Sequence, residues 1–227
     1  MNNKFSPLFI FLFLFAFLES NAQFSKPFSV GFGGGANQLY GDRKGAPIGY
    51  SGHVDLDALI NPFISVGINA QTGKLYANQY AKNSTRSGIE SENNYKAVNA
   101  NIKIRAGQFF VQNENYSYYM LSNKSFLSYL SNAYVGVGVG FIANNHVKDF
   151  IDENKNTELI VPLNIGIDIP MGQSLYGPTW AINLNYQFNY QNEKFNGDNI
   201  DGFRSGNYND HYAYLSLGVK IALFNRR

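Results

Sequence analysis

Trp180-Ala181-Ile182-Asn183-Leu184-Asn185-Tyr186-Gln187-Phe188-Asn189-Tyr190 decides the fold. Every even-numbered side chain is apolar or aromatic, and every odd-numbered one is an alanine, asparagine or glutamine. Period two means an extended strand with two unlike faces, whereas an amphipathic helix would repeat near 3.6. The chain's last regular segment behaves alike. Ala213, Leu215, Leu217, Val219, Ile221 and Leu223 alternate with Tyr212, Tyr214, Ser216, Gly218, Lys220 and Ala222.

Working outward, six more segments follow the rule, over residues 28–35, 50–60, 64–71, 98–106, 135–141 and 159–169. Eight strands of about 9–11 residues match what a tilted strand needs to cross a bilayer. The expected fold is therefore all-β: an antiparallel, eight-stranded, up-and-down transmembrane β-barrel. Pro162 is the poorest fit because it cannot donate to a ladder, and a bulge or local break is expected there.

The connections alternate in length. Asn61-Pro62 is a tight turn, while the stretches near residues 37–47, 73–94, 144–157 and 191–210 are polar loops. Short turns at one end and long loops at the other are the barrel asymmetry, with the short end periplasmic. Residues 108–132 break the pattern, since a periplasmic turn is expected and a long segment stands there. Ser117 to Leu130 is rich in Tyr, Leu and Phe and reads as a short helix. A ten-stranded barrel with an extra hairpin in this segment is the alternative.

Alternation alone also fits a soluble lipocalin-like barrel with its apolar face inside. The choice of face rests on charge. A soluble outer wall should carry many Lys, Glu and Arg. Here the polar face is mostly Gly, Ser, Asn and Gln, and the apolar faces carry almost no charge. A mid-membrane Lys or Arg on a lipid face costs about 2–4 kcal/mol. Trp180, Tyr190, Phe63 and Phe224 lie near strand ends and are expected in interfacial girdles.

Export is written at the start of the chain. Lys4 precedes the apolar run Leu8 to Leu18, and Ser20-Asn21-Ala22 supplies small residues before a cut at Gln23. That run spans only about 16 Å as a helix, too short for a bilayer. The expected organisation is a cleaved signal peptide over 1–22 and one barrel domain over 23–227, in the cell outer membrane. The chain has no cysteine, which excludes disulfides, thiolate sites and a cysteine-linked acyl anchor. A formal net charge of +2 over 227 residues argues against nucleic acid as a partner.

Strand parity turns six charges inward near the periplasmic end: Asp55, Asp57, Lys103, Arg105, Asp168 and Lys220. They are expected to form a salt-bridged structural plug in a lumen too narrow for bulk water, with a proton or ion path as the alternative. His53 sits two residues from Asp55 on the same face, and Ser51 or Ser65 could approach it. A closed lumen would bar substrate, so no catalytic site is expected, nor any cofactor or metal site. Gly31-Phe32-Gly33-Gly34-Gly35-Ala36 lies within a strand with no helix after it, which argues against a dinucleotide loop.

The chain resembles the small outer-membrane barrels of the OmpA/OmpX type, especially the outer-membrane β-barrel family of Bacteroidota. The resemblance lies in the Phe-rich leader ending Ser20-Asn21-Ala22-Gln23, and in Val30-Gly31-Phe32-Gly33-Gly34-Gly35 followed by Tyr40-Gly41-Asp42. It also lies in the final strand, where Ser216, Gly218, Ile221, Leu223 and Phe224 are similar to the signal read by the barrel-assembly machinery. Asn225-Arg226-Arg227 then follow Phe224. The resemblance implies outer-membrane lipid and that machinery as partners.

The resulting expectation is a non-enzymatic barrel with a structural or binding role, acting on a surface or periplasmic protein through its outer loops and the 108–132 segment. Three alternatives stand beside it. They are an accessory subunit of a secretion or uptake complex, an outer-membrane lipid-modifying enzyme, and a soluble lipocalin-like ligand-binding barrel.

Overall fold

The computed structural model describes residues 28–40, 47–61, 63–77, 91–109, 129–146, 155–171, 179–191 and 211–223. The expected signal peptide, Phe224 and the expected helix over Ser117 to Leu130, apart from its last two residues, lie outside them.

Eight strands form: β1 (Phe28–Tyr40), β2 (Gly49–Leu59), β3 (Ile64–Ala77), β4 (Ser91–Arg105), β5 (Ala133–His146), β6 (Lys155–Met171), β7 (Trp180–Gln191) and β8 (His211–Leu223). A short 3-10 helix, Ala106–Phe109, follows β4. Each strand pairs antiparallel with its sequence neighbours, and β8 returns to pair with β1, closing the barrel. The ten-stranded alternative is corrected. β4 and β5 pair directly from Asn93↔His146 to Arg105↔Tyr134, which leaves no place in the wall for another hairpin.

The register also fixes the barrel's width. From Phe28 the ladder passes through Ala58, Val66, Ile102, Val137, Leu163, Phe188 and Ala213, then re-enters β1 at Gln38, ten residues beyond its start. That stagger goes with a strand tilt of roughly 35–45°, and with eight strands it leaves an interior that side chains alone can fill.

We call the end where β1 begins and β8 finishes proximal, and the other end distal. The strands run further distally than the sequence suggested. Residues 73–77 and 91–94 continue β3 and β4 as a paired hairpin, with Lys74↔Asn94 and Tyr76↔Glu92 in register. Hydrogen bonding carries these strands on beyond the point where their outward side chains cease to be apolar.

Pro162 produces a break and no bulge. β5 and β6 pair up to Val137↔Leu163 and resume at Gly140↔Ile160 in the same register. Pro162 still pairs with Asn189 of β7, so the missing donor faces β5.

The two faces are opposite in character. Outside, Phe32, Val54, Val98, Phe141, Ile165 and Leu217 are each at least half exposed. Inside, polar and charged side chains are buried from Ser29 to Lys220. Phe63 corrects the girdle expectation, being only 1% exposed. The Asn61 side chain accepts from the Phe63 and Ile64 amides, and this tight turn aims the ring inward. There it covers Gly107, where an added Cβ would lie 2.8 Å from the ring.

Candidate functional site: the filled lumen

The lumen is built in layers. The proximal layer holds the charges, and all six side chains singled out from the sequence are buried in it or just above it. Five form one chain of ion pairs. Lys103 donates to both Asp57 carboxylate oxygens, at 3.0 and 3.2 Å. Lys220 reaches Asp57 at 3.0 Å and Asp168 at 3.4 Å. Arg105 completes the chain, with Nη2 3.3 Å from Asp168. Asp55 stands apart from this chain. It accepts from the Asn69 amide at 2.7 Å and lies 3.4 Å from His53 Nε2.

Tyr134 organises this layer, and the sequence reading missed it. Its ring lies beneath both ammoniums, 5.7 Å from Lys103 Nζ and 5.5 Å from Lys220 Nζ. Its hydroxyl accepts from Asn183 at 2.9 Å and donates to Asn185 at 3.1 Å. Its even number in β5 is the signal that could have found it, since β5 turns its even positions inward.

The glycines explain how charges on non-adjacent strands meet. Gly31 stands on β1 between Asp55 of β2 and Lys220 of β8. A Cβ there would meet Lys220 Cγ at 3.0 Å. Gly67 plays the same part on β3, because a Cβ would fall 2.1 Å from Asp57 Oδ1. At Gly166 it would fall 2.5 Å from the Tyr134 hydroxyl. A bare strand backbone is what lets a long side chain lie across its neighbour.

The middle layer is mostly amides. Gln71 donates to Gln187 Oε1 across the barrel at 2.6 Å, and Asn185 donates to Asn164 at 3.2 Å. The enclosed space among His53, Asp55, Asn101, Tyr134 and Gln187 is about 10 Å³, no more than one water needs. His53 Nδ1 is 2.8 Å from the Tyr214 hydroxyl, which itself donates to the Ser51 carbonyl at 3.1 Å. The Ser51 hydroxyl is held instead by the Tyr95 hydroxyl at 2.6 Å and by the Asn37 amide. Among the described hydrogen bonds no serine hydroxyl meets His53, whose Nδ1 partner is the Tyr214 hydroxyl.

The distal layer brings apolar side chains to the inner face, beside the buried Asn93, Asn144 and Glu158. Leu39, Leu75, Tyr95, Ile142, Ile160 and Tyr212 form a buried apolar cluster there, with the Tyr95 and Tyr212 rings 5.3 Å apart. Leu75 escapes the sequence reading because it falls in the stretch 73–94 that reads as a loop, Tyr95 because it precedes the strand read from Val98, and Ile142 because it is one residue past the strand read to Phe141. Charge, amide and apolar layers together pack the lumen along the described length of the wall.

Of the residues similar to an assembly signal, Ser216 and Gly218 face the lumen, Ile221 is exposed on the outer wall and Leu223 is half-buried. Phe224 lies outside the described residues.

No protein-family model and no curated protein sequence matches the chain. Solved structures do share its fold. The crystal structure of Neisserial surface protein A (NspA) is 13% identical, with 86% of this chain and 97% of that one covered at a TM-score of 0.51. The outer membrane protein AlkL, solved by solid-state NMR in DMPC lipid bilayers, is 14% identical, with 92% and 95% covered at a TM-score of 0.50. At these identities the likeness is one of architecture, and by it the chain has the fold of the small eight-stranded barrels.

Proposed function

We propose that the chain is a non-enzymatic outer-membrane barrel with a structural plug in its lumen, and that it meets other molecules through its outer wall, its distal loops and the proximal 108–132 segment. The observation that carries this is the opposition of the faces. From the level of Ala70 and Val98 down to the proximal end, the described outward side chains include no Asp, Glu, Lys or Arg, while paired charges stand inside. An apolar collar exposed on every strand needs lipid around it, and closure satisfies the wall's backbone groups there. A lipocalin-like barrel requires the reverse arrangement. The proximal end, with the tight Asn61 turn, then faces the periplasm.

Fractionation of cells expressing the full chain tests this directly. The protein should sediment with the outer membrane, begin at Gln23 and change gel mobility on heating. A soluble periplasmic product would overturn it.

A second reading, an accessory subunit of a secretion or uptake complex, has one feature in its favour. Phe109 is 81% exposed where the 108–132 segment leaves the barrel, and Leu130 is exposed where it returns. Deleting residues 112–130 should then remove a crosslinked periplasmic partner, and unchanged crosslinks would dismiss this reading. The match of the last strand to an assembly signal, and the placing of the chain with the Bacteroidota barrels, rest on the sequence motifs alone. For the signal, Phe224→Ala should slow folding on the assembly machinery without lowering the heat stability of whatever barrel does fold.

A further inference from the structure

We propose that the distal rim of the outer wall over β2–β6 binds an anionic, phosphate-bearing lipid of the outer leaflet, with its headgroup at Lys74 and Lys96 and its acyl chains along the wall below. This rests on the membrane reading above. Two hollows on the same side of the barrel carry it. The distal one, about 690 Å³, is lined by Tyr50, Thr72, Lys74, Asn94, Lys96 and Asn145, among others. The proximal one, about 640 Å³, is walled by Leu56, Val66, Ile68, Ala100, Ile102 and Val137, among others. Ala70 and Val98 separate them, and Thr72 to Ile68 is four residues along β3, about 13 Å. Ala70 and Ala100 are small beside Leu56, Ile68 and Val139, so the surface dips between larger side chains.

The charge at the upper hollow has the matching sign. Lys96 pairs in register with Thr72, and Lys74 with Asn94, so the two lysines are diagonal neighbours on adjacent strands. Lys74 is bound to Glu92 at 2.5 Å, whereas Lys96 is exposed and has no ion-pair partner among the described residues. Among the described side chains here, two ammoniums and one carboxylate leave a single positive charge. Around it stand the Tyr50 hydroxyl and the Thr72, Asn94 and Asn145 polar groups, suited to a phosphate and the hydroxyls of a sugar or glycerol. A choline headgroup would bring a second cation to the same place. The distal rim on the other side carries Gln38, Tyr40, Tyr190 and His211, with Tyr40 and Tyr190 stacked on His211 and no lysine among the described residues. Among the described residues, the cationic rim over an apolar trough therefore stands on the β2–β6 side.

The test is native mass spectrometry of the refolded barrel released from detergent, with lipid A or phosphatidylcholine added. Lipid A should give a one-lipid adduct well ahead of phosphatidylcholine. Lys74→Gln and Lys96→Gln should each weaken it about fivefold, and both together roughly twenty-five-fold. Glu92→Gln should strengthen it, and Ala70→Trp should weaken it with both lysines in place. Heat-dependent gel mobility of every variant checks that the barrel is folded. Equal lipid A binding by wild type and the double-lysine variant would overturn the site, as would equal preference for phosphatidylcholine. A wild-type chain that never inserts into vesicles would overturn the membrane reading, and the site with it.

Discussion

Arg105 is the largest fully buried side chain in the described barrel, with none of its surface exposed. Its removal therefore tests what the plug contributes. Arg105→Leu takes one cation from Asp168, which keeps Lys220 and the Asn183 amide at 2.7 Å. Breaking a buried pair on one side costs about 3–5 kcal/mol, and the remaining partners put this case at the lower end. The midpoint of the heat-dependent mobility shift should fall, and an unchanged midpoint would mean that the plug does not hold the barrel. Gly67→Ala should act on the same layer from the neighbouring strand. Its Cβ would overlap the Asp57 carboxylate and force it away from Lys103, at about 1–3 kcal/mol. Gly52→Ala, outward and 3.7 Å from its nearest atom, should stay within about 0.5 kcal/mol by the same measurement. Parity alone showed which way each charge points, because a strand's side chains alternate. It could not show which charges meet, because Asp57, Lys103 and Lys220 come from β2, β4 and β8, and their meeting depends on register and on bare glycines between them.

At the scale of the strand, β6 shows how a local rule is met without disturbing the whole. Pro162 removes one donor toward β5, and the ladder skips Gly138–Val139 opposite Val161–Pro162 yet resumes unshifted. Gly138 makes this possible, since a Cβ there would sit 3.0 Å from the proline ring. Pro162→Ala should close the gap, give a position-162 amide protected from hydrogen exchange, and stabilise the barrel by about 0.5–1.5 kcal/mol. Rapid exchange of that amide would show that the gap belongs to the strand path and not to the missing donor. The sequence placed every strand but set the distal ends too low. Lys74, Asn94 and Lys96 on the outer face look like loop residues, whereas Leu75 and Tyr95 between them point inward. Above the apolar collar β3 and β4 turn polar outside at Thr72, Lys74, Asn94 and Lys96 and bring Leu75 and Tyr95 inside beside Asn93, and a reader following apolar-out periodicity stops there.

Across the whole molecule the distal apolar layer and the proximal charge layer lie in series. An ion travelling the lumen would have to pass both, and the space between them among His53, Asn101 and Gln187 holds no more than one water. Widening either layer alone should therefore leave the path shut. Reconstituted in planar bilayers in potassium chloride, the wild-type barrel should pass no stepwise current. Tyr95→Ala with Tyr212→Ala takes two tyrosine rings out of the distal cluster and should also pass none, because Lys103, Asp57 and Lys220 still fill the other end. Adding Asp57→Ala and Lys103→Ala removes one acid and one base and thins the second layer. Gln71→Ala then opens the amide layer between them, and only this fivefold variant should conduct, provided that its heat-dependent mobility shift shows a folded barrel. Steady conductance by the wild type would mean that the layers do not seal the lumen. Current through the tyrosine double variant alone would mean that the charge layer is permeable, and would move the barrier to the distal end.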